Sequence, residues 1–110
     1  EWYAEVDGRR IANGQLCLSN DEVWHVLVEN LRARMARKPQ ARYWSVSQND
    51  TFGYCTCERC RAVDEREGSP SGSLLAFVNR VAAEFPDKII STLAYQYSRS
   101  APRTLRPASN

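Results

Sequence analysis

The stretch SQNDTFGYCTCERC, residues 47–60, sets three cysteines in the pattern C-x-C-x-x-C: Cys55, Cys57 and Cys60. A C-x-x-C turn aims two thiolates at one metal ion, as in zinc knuckles. Cys55 lies two residues upstream, and a bent intervening residue brings it round as a third ligand. Cys17, the fourth cysteine of the chain, completes a tetrahedral set. A closed four-thiolate site leaves no coordination position for water, so it is structural rather than catalytic. Binding there contributes folding energy, on the order of 10 kcal/mol in small zinc modules. Zinc is the expected ion, and iron fits the same four thiolates. An even cysteine count also admits two disulfides. One loop cysteine would then bond Cys17 and the other two each other, because a Cys55–Cys57 bond is strained. A redox pair at Cys57 and Cys60 is the third reading, but its thioredoxin-like context is missing. The spacing favours the metal.

Asn49 and Asp50 end the strand-like run before the cysteines. Asp50 sits where a barrel enzyme carries a carboxylate and is the candidate catalytic group. The plainer reading is a turn cap, a role that Asn and Asp fill well. Asp64, Glu65 and Glu67 read as the solvated face of a helix. Tyr95 and Tyr97 alternate around Gln96 and could stack on a sugar ring, although core packing accounts for at least one of them. Tyr43 and Trp44 read as core, and His25 as a surface residue. The run RARMARKPQAR reads as a solvated helix end that complements its own dipole.

The elements that must position these residues follow from periodicity. Gly14–Asn20 alternates weakly and reads as a first strand. Ser19 with Glu22 forms a capping-box pattern. Val23, Leu27, Leu31 and Met35 recur at steps of four, widened by Trp24, and Pro39 stops a helix over 21–37. Ala41–Gln48 is rich in aromatic and β-branched residues and reads as a second strand. A short helix starts at the knuckle. From Ser71 or Ser73, Leu74, Val78, Val81 and Phe85 share one face of a further helix, beside Leu75 and Ala82, and Pro86 ends it. Lys88–Ser98 reads as a third strand. The order β-α-β-α-β predicts an α/β fold with right-handed crossovers and parallel strands. Open edges make self-association plausible. Function would gather at the strand carboxyl ends, where the cysteines can also meet.

The chain has 110 residues, a net charge of +2 and no apolar run near the ~20 residues a membrane helix needs. So small a charge argues against a nucleic-acid partner. EWYAEVDGRR reads as the middle of a longer chain, and SRSAPRTLRPASN, which includes residues 99–110, as a poorly ordered tail. We therefore expect a single partial domain over 1–110.

In chain order, EWYAEVDGRR, QLCLSN, SVSQND, CTCERC and LLAFVNRVAAEFPDKIISTLAYQYS, followed by Ala101-Pro102, resemble the central part of a bacterial domain of unknown function. That family occurs in secreted, often multidomain proteins of polysaccharide-degrading bacteria. It is similar to (β/α)8-barrel glycoside hydrolases, including α-glucuronidase-like and hexosaminidase-like enzymes. The resemblance implies a barrel arc, a secreted or periplasmic carbohydrate-active parent and an oligosaccharide or polysaccharide partner. It implies that Gln48, Asn49 and Asp50 line the sugar cleft; Tyr95 and Tyr97, at the end of the third strand, are substrate-binding candidates on the reading of the residues themselves. Because glycoside hydrolysis usually needs two carboxyl groups, we expect the 110 residues alone to be inactive. The alternative is a zinc-stabilised binding module for protein or nucleic acid, reached through Arg32, Arg34, Arg37 and Lys38.

Overall fold

The computed structural model describes residues 1–110. A tight hairpin opens the chain, with β1 (Glu5–Val6) antiparallel to β2 (Arg9–Arg10). Its turn, Asp7-Gly8, has φ of 50° and 76°. Two successive positive φ values are what an Asp-Gly turn supplies to a two-residue hairpin. Helix α1 (Asp21–Arg37) follows, then β3 (Tyr43–Ser45), α2 (Glu58–Glu67), α3 (Ser71–Glu84), β4 (Ile89–Ser91) and a 3₁₀ turn over Gln96–Ser98.

The expected parallel β-α-β-α-β arc of a (β/α)8 barrel is not the fold. There are two separate two-stranded sheets, one antiparallel and one parallel. The segment Gly14–Asn20 is no strand of the parallel sheet. Its backbone turns instead to the N-terminal residues, with Ala4 N–H donating to Gln15 O at 2.9 Å and Cys17 N–H to Trp2 O at 2.7 Å. A lone antiparallel bridge, Tyr3 to Leu16, marks the encounter. Lys88–Ser98 keeps strand geometry only over Ile89–Ser91 and then breaks, with Gln96 at φ 51°. A short apolar alternation fits any extended segment that packs on one side, so it could not say which neighbour each strand would take.

The helices stand where the periodicity puts them. Val23, Val28, Leu31 and Met35 of α1 meet Leu74, Phe77, Val78, Val81 and Ala82 of α3, with Phe85 and Ile90 closing the main core. Trp44 packs against this core only partly, and Tyr43 is 73% exposed, so the expectation of a buried Tyr43 is corrected. Strand β3 sends alternate side chains to opposite faces. Tyr43 falls on the face away from the core.

Helix α2 is polar and leans on α3 through a close approach. A Cβ at Gly72 would lie 2.9 Å from the Glu67 Cβ. Glu67 is buried rather than solvated, which corrects the reading of Asp64, Glu65 and Glu67 as one wet face. Residues 99–110 run back across both helices. Thr104 N–H donates to the Glu67 carboxylate at 2.7 Å, and Asn79 pairs with Arg106 O and Ala108 N–H, each at 2.8 Å.

Candidate metal centre

Away from the main core, Ala4, Cys17, Cys55, Cys57 and Cys60 form a second buried cluster. Three local devices supply the four cysteines. Cys17 sits on the extended segment that bonds Trp2. Cys57 is the N-cap of α2 with φ −60° and ψ 160°, and Cys60 lies in the first turn of that helix. Cys55 is fixed by the hairpin. Its sulfur accepts the Glu5 N–H at 3.3 Å, while Thr56 N–H donates to Glu5 O at 2.7 Å.

The four Sγ atoms lie within 4.8 Å of one another, and none is in a disulfide. Cys17 and Cys57 sulfurs are 3.8 Å apart. A tetrahedron of sulfurs about 2.3 Å from zinc has an edge of about 3.8 Å. The residues therefore fit a single tetrahedral ion. As free thiols they already divide into donors and acceptors. The neighbouring Cys60 thiol draws Cys17 well below the ordinary thiol range, against the effect of burial. Cys60 is pushed up, by the neighbouring Cys17 sulfur and then by burial. Burial also raises Cys55. At Cys57 burial pushes upward, but the Cys60 N–H and the Ser19 hydroxyl outweigh it and the thiol ends low. A divalent ion held by Cys17, Cys55, Cys57 and Cys60 would replace this proton sharing with four thiolates.

Ser19 was expected to cap α1. The cap is Asn20, whose Oδ1 accepts the Glu22 N–H at 2.9 Å. Ser19 Oγ is thereby freed for the sulfurs, at 3.2 Å from Cys60, 3.5 Å from Cys17 and 3.6 Å from Cys57. Arg10 Nη1 reaches Cys55 Sγ at 3.7 Å.

The second group of candidates separates in two. Asp50 Oδ1 accepts from Tyr95 Oη at 3.2 Å and from Gln96 Nε2 at 2.9 Å. Gln48 Nε2 donates to Tyr95 O at 3.0 Å. Gln48, Asp50 and Tyr95 are thus brought together. Asn49 and Tyr97 serve the framework. Asn49 Nδ2 donates to Gly14 O at 2.7 Å, and the Tyr97 ring lies 5.0 Å from that of Tyr54. Burial, then the charges of Asp64 and Cys60, push the Tyr97 hydroxyl up to about 12.

Sequence reasoning missed Gln15. It is 4% exposed and holds three backbone groups around Asp50. Its Nε2 donates to Asn49 O at 2.6 Å and Thr51 O at 2.7 Å, and its Oε1 accepts the Asn49 N–H at 3.0 Å. A signal existed, because residues two apart on an extended segment share a side. Gln15 and Cys17 both point inward, so one segment fastens the loop over residues 49–51 and the cysteines. Of the basic run, Arg32 pairs with Glu84 at 3.4 Å and lies over the Phe85 ring at 4.9 Å.

All 110 residues match one family, described as a domain of unknown function, DUF4838. The chain belongs to that family. No curated protein matches it, and no solved structure does. Within this DUF4838 chain, the four-cysteine cluster is the feature whose chemistry the geometry defines.

Proposed function

We propose that the domain is a metal-clamped scaffold, in which Cys17, Cys55, Cys57 and Cys60 hold one zinc ion in a closed structural site. The observation that carries this is the convergence of four buried sulfurs within 4.8 Å. When bound, zinc supplies a crosslink with no open position for water. The cysteines bind and orient it, while Ser19 and the Glu5 N–H hydrogen-bond the sulfurs. The test is metal analysis together with a thiol count in denaturant. One metal per chain and four titratable thiols are expected. Two disulfides and no metal would sink the reading.

The finer proposal is that the clamp steadies a saccharide-facing rim in a carbohydrate-active parent protein. Its support is the pinning of Asp50. Both side-chain donors take Oδ1, which fixes the carboxylate and leaves Oδ2 to accept from a sugar hydroxyl. Phe52, two residues on, is 71% exposed and offers an apolar face of the kind that sugar rings cover. Asp50→Asn in the intact parent is expected to abolish glycan cleavage while preserving the fold. Undiminished cleavage would remove Asp50 from the chemistry.

A further inference from the structure

Four thiolates around one dication leave a net negative charge in a buried place. Such a charge needs donors or a cation close by. Three groups outside the ligand set touch the sulfurs: the Glu5 N–H, the Ser19 hydroxyl and the Arg10 guanidinium. Arg10 is the only one that carries charge. The same Nη1 also donates to Tyr3 O at 3.0 Å, and the Glu5 carboxylate draws on Nη2 at 3.7 Å.

The hairpin explains why these groups arrive together. Glu5 and Arg10 are register partners across the Asp7-Gly8 turn. One strand delivers a backbone N–H to Cys55, and the other delivers a cation to the same sulfur. A polar pocket of about 450 Å³ opens over this face, lined by Glu5, Arg10, Cys17, Cys57, Glu58 and Arg59. Its wall sets Glu1, Glu5 and Glu58 against Arg10 and Arg59, and of the two cations Arg10 is the one that touches a sulfur.

We propose that Arg10 is the charge-compensating partner of the four-thiolate site, and that metal binding and seating of the Glu5–Arg10 hairpin are one linked event. This rests on the reading that the four cysteines hold a metal. Arg10 acts through the sulfurs and is a positioning residue. Linkage is reciprocal, so the ion steadies the hairpin as much as the hairpin retains the ion.

The test uses the full chain, with zinc affinity from competition against a chromophoric chelator and cobalt as a spectroscopic stand-in. Arg10→Gln is expected to weaken zinc binding by about 10–100-fold, the usual cost of losing an outer partner. It should also move the thiolate-to-cobalt band to lower energy, since sulfurs without a nearby cation are more electron-rich. Arg10→Lys restores the charge and is expected to recover most of both effects. A purely structural role for Arg10 would leave the band in place. Glu5→Gln removes the carboxylate that competes for the guanidinium, and is expected to bind zinc at least as tightly as the parent chain. Equal affinity and an unmoved band in Arg10→Gln would overturn the inference while leaving the metal site standing. A wild-type chain that takes up no metal would overturn both.

Discussion

Glu67 is 2% exposed, yet its hydrogen bonds come from a hydroxyl and the main chain. Thr104 Oγ1 and N–H, with the Leu105 N–H, hold its carboxyl below the usual carboxylate range. A group depressed in the folded state contributes stability above its unfolded pKa, about 4.3 for Glu. That contribution is lost as pH falls through the lower folded value. Urea midpoints measured from pH 6 down to pH 3 are therefore expected to drop, and Glu67→Gln to flatten that limb while lowering stability at neutral pH. An acid limb as steep in the variant as in the parent would assign the drop to other carboxylates. The Gly72 contact gives a second expectation. Gly72→Ala drives a methyl group against Glu67 Cβ, 2.9 Å away. Overpacking of this kind costs about 1–3 kcal/mol, readable by chemical denaturation. Neither residue was legible in the sequence. Glu67 looked like one charge among several on a polar helix, because the partner that buries it lies 37 residues further on.

At the scale of elements, the start of α1 separates two jobs that the sequence runs together. Asn20 caps the helix and Ser19 faces the sulfurs. Asn20→Ala is expected to cost about 1 kcal/mol of stability with zinc affinity unchanged. Ser19→Ala should do the reverse, weakening metal binding with little effect on the helix in the metal-loaded chain. Thermal melts and chelator competition on both variants check the pair. The helices were readable because they carry their own signals: an apolar stripe and a proline stop in α1 and α3, an acidic first turn in α1, and the cysteine knuckle that starts α2. The cysteine loop was readable because spacing alone limits what it can do. The sheet was not, because β3 and β4 are three residues each and their pairing depends on contacts distant in the chain. The same limit hid Arg10, whose role exists only once a hairpin folds over a loop 45 residues away.

At the scale of the molecule, the last residue ties three regions. Asn110 Nδ2 donates to Ala82 O and Phe85 O at 3.0 Å and to Lys88 O at 3.1 Å, and its own carbonyl accepts the Ile90 N–H at 2.9 Å. These bonds satisfy the carbonyls that end α3 and the outer edge of β4. Asn110→Ala is expected to cost about 2 kcal/mol, given the worth of a few part-buried hydrogen bonds. Hydrogen exchange at the α3 terminus and Ile90 would localise the loss. Unchanged exchange there would show that the side chain bears no part of the packing.

The cluster of sulfurs has a consequence in the language of polymers. Cys17 and Cys57 stand 40 positions apart, with α1 and β3 between them. Joined, they close a long ring in the unfolded chain, and a crosslink of that span removes enough disorder to favour folding by about 4 kcal/mol. A disulfide would make that gain permanent under oxidising conditions. A metal makes it adjustable, rising and falling with the free concentration of the ion around the chain. The same 110 residues would then be firm where zinc is plentiful and slack where it is scarce.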